Sequence, residues 1–142
     1  MKFKRILVPL DGSGTAGNAF QCALDMVETY HAELYVLSVA DVTEAAYPLL
    51  QVNLDKDGFT NIRETARIVL DQAQNLVPDT VHFTPVLKVG VPGNVIASVV
   101  KEKGIDLVIM GNSGKGSLSS FITGSVSQYV IHHVKVPVLI IK

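Results

Sequence analysis

Apolar and polar positions along this chain alternate between two rhythms, one of period two and one of period near 3.6. Ile6-Leu7-Val8-Pro9-Leu10 is a short apolar run closed by the turn cluster Asp11-Gly12-Ser13-Gly14, which predicts a strand from Lys4 to Leu10. Ala16, Ala19, Phe20, Ala23 and Val27 then recur at steps of three and four, the stripe of an amphipathic helix. Leu34 to Val39 is a nearly continuous apolar strand, as expected when helices cover both faces of a sheet. Asp41 to Phe59 reads as a long irregular segment holding Tyr47-Pro48-Leu49-Leu50 and the turn signal Asp57-Gly58; such loops are usually functional or carry a short helix. Ile62, Ala66, Val69, Leu70, Ala73, Leu76 and Val77 mark a second helix, closed by Pro78. From Val81 to Val89 the pattern alternates, with Val81, Phe83, Leu87 and Val89 on one face and His82, Thr84 and Lys88 on the other. Pro85 inside that run predicts a half-exposed edge strand. Pro92 opens a third helix with Val95, Ile96, Val99 and Val100 as its buried stripe. Ile105 to Met110 is a fourth strand, a helix runs to about Val134, and Val136 to Ile141 is the last strand.

Strand and helix alternate throughout, which predicts an α/β domain over residues 1–142: a five-stranded parallel sheet with helices on both faces. With right-handed crossovers and the third strand at an edge, the order is 3-2-1-4-5. The first and fourth strands are then central neighbours, and the chain reverses direction across the sheet between them. Ligands of open α/β sheets bind at that reversal, outside the carboxyl ends of the strands.

Both of those strands end in glycine-bearing loops. The second carries the spacing Gly111-x2-Gly114-x9-Gly124-Ser125, directly ahead of the helix that begins near Val126. A strand, a glycine loop and a helix N-terminus suit a phosphate: glycine allows close backbone approach, and the free N–H groups of the first turn point at the anion. Ser125 and Gln128 fit a capping box, which predicts Ser125 as the residue that caps this helix.

The bulk composition narrows the partners. The 142 residues are 48% hydrophobic and 18% charged with a formal net charge of −1, which excludes disorder and gives no global basic field for nucleic acid or a membrane surface. Cys22 is the single cysteine, so no internal disulfide can form. The N-terminal apolar run meets Asp11 too early for a signal peptide, and no run approaches the length of a spanning helix. A soluble cytoplasmic protein is expected.

The opening Ile6-Leu7-Val8-Pro9-Leu10-Asp11-Gly12-Ser13, the Ser38-Val39-Ala40-Asp41 stretch, Val108-Ile109-Met110-Gly111 with the glycine spacing, and the closing Val136-Pro137-Val138-Leu139-Ile140 together resemble the universal stress protein family, in its ATP-binding branch. The resemblance runs nearly the whole length and implies a Rossmann-like fold of the adenine nucleotide alpha hydrolase type. It implies that Asp11 and Val39 meet adenine, that Pro9 and Met110 line its pocket, and that Gly111 lies against the ribose. It assigns the phosphates to Gly114, Lys115, Gly124, Ser125 and Val126, largely through backbone N–H groups. Ser113 stands where the family often has a basic residue or histidine, and Thr15-Ala16-Gly17 replaces a common first-turn serine. ATP and a sensor or regulator acting on a further protein partner are what the resemblance implies, and Mg²⁺ is expected to arrive with the nucleotide, held by phosphate oxygens and water. Val138-Leu139-Ile140-Ile141 is apolar on both faces at the expected sheet edge, which predicts a homodimer through the last strand, and the resemblance points the same way.

Other chemistries fit less well. Gly12-Ser13-Gly14-Thr15-Ala16-Gly17 matches a dinucleotide fingerprint, but Asp11 would set a carboxylate beside the pyrophosphate and the later glycine spacing would go unused. Gly114-Lys115 is followed by Gly116, so it is no Walker loop. His132 and His133 are adjacent and point about 100° apart on a helix, which suits a helix C-terminus better than a metal. No nucleophile with its base is placed by the sequence. The enzyme readings that stay open are slow ATP hydrolysis and nucleotidyl transfer; a module with a vestigial pocket is the other alternative.

Overall fold

The computed structural model describes residues 2–43, 56–112 and 124–142. Its elements, in chain order, are β1 (Arg5–Leu10), α1 (Gly14–Tyr30), β2 (Glu33–Asp41), α2 (Lys56–Gln74), β3 (Phe83–Gly90), α3 (Pro92–Lys103), β4 (Leu107–Gly111), α4 (Ser125–His133) and β5 (Val138–Ile141). The five strands form one sheet of order β3-β2-β1-β4-β5, and every neighbouring pair is parallel. The predicted fold class and strand order are therefore the observed ones.

The core divides by strand parity. Ile6, Val8, Leu34, Val36, Leu107 and Ile109 face the side covered by α1 and α2, where they meet Ala19, Phe20, Ala23, Val27, Leu70 and Ala73. Their neighbours Leu7, Leu37, Val86, Val108 and Met110 face the side covered by α3 and α4, against Ile96, Val99, Val100 and Val130. Successive strand residues point to opposite faces, so a strand covered on both sides must be apolar at every position. That is why the strand runs are continuous instead of alternating.

Four local expectations need correction. Asp57-Gly58 is not a turn: both residues lie inside α2, because a glycine costs a helix only about 1 kcal/mol and the amphipathic stripe from Ile62 onward outweighs it. Leu76 lies beyond the end of α2 and is 60% exposed, so it does not join the buried stripe. In β3, Val86 is the buried residue and Val89 is 40% exposed. Phe83 and Leu87 do pack together against the α1–α2 side, but Val86 packs on the opposite one, since even this edge strand is covered from both faces. The Tyr47-Pro48-Leu49-Leu50 group lies outside the described residues. The capping expectation for Ser125 is corrected below.

Candidate nucleotide site

The two central strands, β1 and β4, run side by side with Ile6 opposite Leu107 and Leu7 opposite Val108. Beyond their carboxyl ends the chain departs in opposite directions: α1 packs on one face of the sheet and α4 on the other. A crevice between diverging connections is the place where such sheets bind ligands.

The β1 side of the crevice is a tightly bonded turn. One Asp11 carboxylate oxygen, Oδ1, accepts the Ser13 N–H at 2.8 Å. Gly12 takes φ of 83°, a conformation that only glycine adopts cheaply. Ser13 then caps α1: its Oγ accepts the Ala16 N–H at 3.3 Å, and its carbonyl accepts the Gly17 N–H at 3.1 Å. Asp11 therefore shapes the loop that holds it, whatever else its carboxylate meets.

Parity brings three of the candidate residues to one face. Val39 and Met110 belong to the α3–α4 side of the core, and Pro9, two residues after Leu7, follows the same alternation. Pro9 pairs with Leu37 in the ladder, so these residues occupy the carboxyl ends of three adjacent strands, β2, β1 and β4. Met110 is 5% exposed, while Pro9 and Val39 are half-buried at the crevice.

Gly111 has the opposite parity and backs onto α1. A Cβ there would lie 2.6 Å from Thr15 Oγ1 and 2.8 Å from the Thr15 carbonyl carbon. The absence of a side chain at Gly111 is thus required by the start of α1, a reason that spacing alone does not disclose. Gly14 and Gly17 show the contrary: a Cβ at either would meet nothing within 4 Å. A dinucleotide fingerprint needs its later glycines for pyrophosphate approach and for helix–strand packing, and Gly17 is exposed and packs against no strand.

On the β4 side the cap of α4 is Gly124, not Ser125. Gly124 is non-helical, with φ of −40° and ψ of 146°, and Ser125 is already the first helical residue and exposed. The Gly124 carbonyl accepts the Gln128 N–H at 3.0 Å, the first bond of the helix. The capping-box pattern misplaces the start by one residue because the deciding contact is tertiary: the Gly124 N–H donates to the Asn112 carbonyl at 2.8 Å. Asn112 in turn donates its own N–H to the Ile141 carbonyl at 3.0 Å. Val126 is half-buried with its side chain in the α3–α4 core, which leaves its backbone at the helix entrance. The hydroxyl in this turn that makes the bonds belongs to Ser127, 2% exposed, and neither it nor Asn112 stood out in the sequence. Gly114 and Lys115 lie outside the described residues.

The remaining chemistry-bearing groups lie elsewhere. His132 and His133 are the last two residues of α4, about 12 Å along the axis from Ser125 at the rise of an α-helix. The His133 ring stacks on Tyr129 with centroids 3.7 Å apart, and its Nδ1 lies 2.7 Å from the Tyr129 carbonyl oxygen. Cys22 is half-buried beside the α1 core. Among the described residues no three His, Cys, Asp or Glu side chains converge as metal ligands, and no helix is long and apolar enough to cross a membrane.

Comparison with known proteins agrees with this fold. The profile of the Universal stress protein family matches residues 2–142. Universal stress protein Sll1388 of Synechocystis is 31% identical over 157 residues, covering 100% of this chain and 99% of its own. The solved structure of MJ0577, a universal stress protein of Methanocaldococcus jannaschii, superposes with a TM-score of 0.86 at 28% identity and covers 100% of this chain and 97% of its own. A universal stress protein from Archaeoglobus fulgidus, solved in complex with dAMP, shares the fold at a TM-score of 0.70 and 20% identity, with all of both chains covered. The chain belongs to the universal stress protein family.

Proposed function

We propose that this protein binds ATP in the crevice between β1 and β4 and acts in the cytoplasm as a nucleotide-dependent sensor or regulator of a stress response. The observation that carries the reading is the entrance of α4, which opens at the switch point with no side chain capping it. The N–H groups of Ser125 and Val126 have no acceptor within the helix, and the helix dipole adds partial positive charge there. A phosphate satisfies both.

In this reading Pro9, Val39 and Met110 form the apolar wall of the adenine pocket and Asp11 its polar edge. Gly111 lies beside the ribose. The phosphates meet Gly114, Lys115, Gly124, Ser125 and Val126. Mg²⁺ arrives with the nucleotide and is held by phosphate oxygens and water, consistent with its reluctance to dehydrate. The domain pairs with a second copy through β5, and a further protein partner reads the bound state. That an adenine nucleotide occupies a family member of the same fold supports the ligand class.

The test is mass spectrometry of the purified, denatured protein for co-purified nucleotide, followed by calorimetric titration of the stripped protein with ATP. Released adenine nucleotide and saturable binding are expected. A stripped, folded protein that takes up no adenine nucleotide would overturn the reading.

A further inference from the structure

The Ser127 hydroxyl is the one buried side-chain donor in the described turn that fastens α4 to β4. The residue is 2% exposed, and a buried hydroxyl is costly unless it is bonded. Its Oγ lies 3.0 Å from the Gly124 carbonyl oxygen and 3.3 Å from the Asn112 carbonyl oxygen. A hydroxyl has one proton, so the two carbonyls share it. The bond to Gly124 is the local back-bond that serines commonly make on a helix. The bond to Asn112 is different in kind, because it leaves the helix and reaches the residue that follows β4.

Asn112 thereby becomes a junction. Its carbonyl receives the Gly124 N–H at 2.8 Å and the Ser127 hydroxyl, while its N–H is held by the last residue of β5, Ile141, at 3.0 Å. Val126 and Val130 hold the body of α4 in the α3–α4 core, while a single backbone bond at Gly124 leaves the local pose of the first turn adjustable. The Ser127 bond, three residues further on, removes this freedom. What it fixes is the direction of the Ser125 and Val126 N–H groups that lie between the two attachment points.

We infer that Ser127 is a positioning residue for the phosphates, aiming the free N–H groups of α4 by locking its first turn to Asn112. The inference rests on the reading of this crevice as the ATP site. It assigns Ser127 no contact with the ligand. Its effect is confined to the phosphate end, since Pro9, Val39 and Met110 are set by the sheet itself.

The experiment compares wild type with Ser127→Ala and Ser127→Thr by calorimetric titration with ATP and with adenosine, alongside thermal unfolding. Ser127→Ala leaves both carbonyls with a backbone donor, Gln128 N–H for Gly124 and Gly124 N–H for Asn112, so the fold should survive. ATP affinity should fall about tenfold, the scale of one lost hydrogen bond, with adenosine unchanged. Ser127→Thr, which keeps the hydroxyl, should recover ATP binding. Unchanged ATP affinity in a folded Ser127→Ala protein overturns the inference, as does an equal loss for ATP and adenosine, which would mean a general packing role. Failure of wild type itself to bind either ligand would instead remove the site reading on which the inference stands.

Discussion

Gly111 and Gly124 occupy the same glycine spacing for different physical reasons, and substitution separates them. At Gly111 a methyl group would fall 2.6 Å from Thr15 Oγ1 and 2.8 Å from the Thr15 backbone carbon. Backbone cannot rotate away as a side-chain tip can, so Gly111→Ala should displace the start of α1 and destabilise the protein by about 1–3 kcal/mol, read as a lower urea midpoint at unchanged slope. At Gly124 φ is −40°, outside the left-handed region that only glycine adopts cheaply. Gly124→Val should therefore cost only about 1 kcal/mol as a poorer cap, yet abolish ATP binding by placing a branched side chain at the helix entrance. A folded Gly124→Val protein with wild-type ATP affinity would remove Gly124 from the phosphate site. The shared motif thus joins a packing requirement to a proposed binding one.

At the scale of single elements, β2 carries a titratable group whose behaviour follows from its neighbours. Tyr35 donates its hydroxyl to Glu33 Oε2 at 2.9 Å on the same strand face. Burial, that hydrogen bond and the Glu33 charge raise the Tyr35 pKa above its ordinary 10.0, against a smaller opposing effect of Arg5. The folded state then holds the phenolic proton more tightly than the unfolded chain does. Its contribution to stability is complete below pH 10.0 and is lost as pH rises through the raised folded value. Titration of the phenolate absorbance should show a component ionising above pH 10.0 that is missing from Tyr35→Phe, and that variant should lose stability less steeply at alkaline pH. Identical alkaline profiles for the two proteins would contradict this assignment. The strand itself was legible because its run is apolar; the Tyr35–Glu33 hydrogen bond was not part of that reading. The alternation in β3 was read less well, since Val86 is buried from the side that the pattern left polar.

For the whole molecule, the two sheet edges differ. On β3, the His82 carbonyl faces β2 by accepting the Leu34 N–H at 2.8 Å. Alternation along the ladder then turns Pro85 outward, where its missing N–H blunts the free edge, and the Lys88–Glu102 ion pair lies beside it. On β5, the carbonyls of Pro137 and Ile141 face β4, accepting the N–H groups of Val108 and Asn112 at 3.0 Å each. The same alternation directs the N–H groups of Val138 and Ile140 away from the sheet. Leu139, 37% exposed, adds apolar surface to this edge. Pairing of two β5 strands about a two-fold axis satisfies those donors. Light scattering at micromolar concentration should give twice the 15.3 kDa chain mass, and Ile140→Pro, which removes an outward donor, should give monomer or aggregate. A monomeric wild type would show that something else covers the edge.

The sequence by itself determined the order of strands and helices, the parallel sheet, its switch point and the glycine spacing at the end of β4. These depend on residue type and on periods of two and 3.6, which are local properties of the chain. Only the tertiary structure decided that Pro9, Val39 and Met110 share a face, that Gly111 is small because of Thr15, and that Gly124 instead of Ser125 begins α4. It also singled out Ser127, whose partner Asn112 lies 15 residues away. The physical reason is common to all of these: what a side chain or an N–H meets is fixed by elements brought together by packing, and no local pattern records which distant residue will be there.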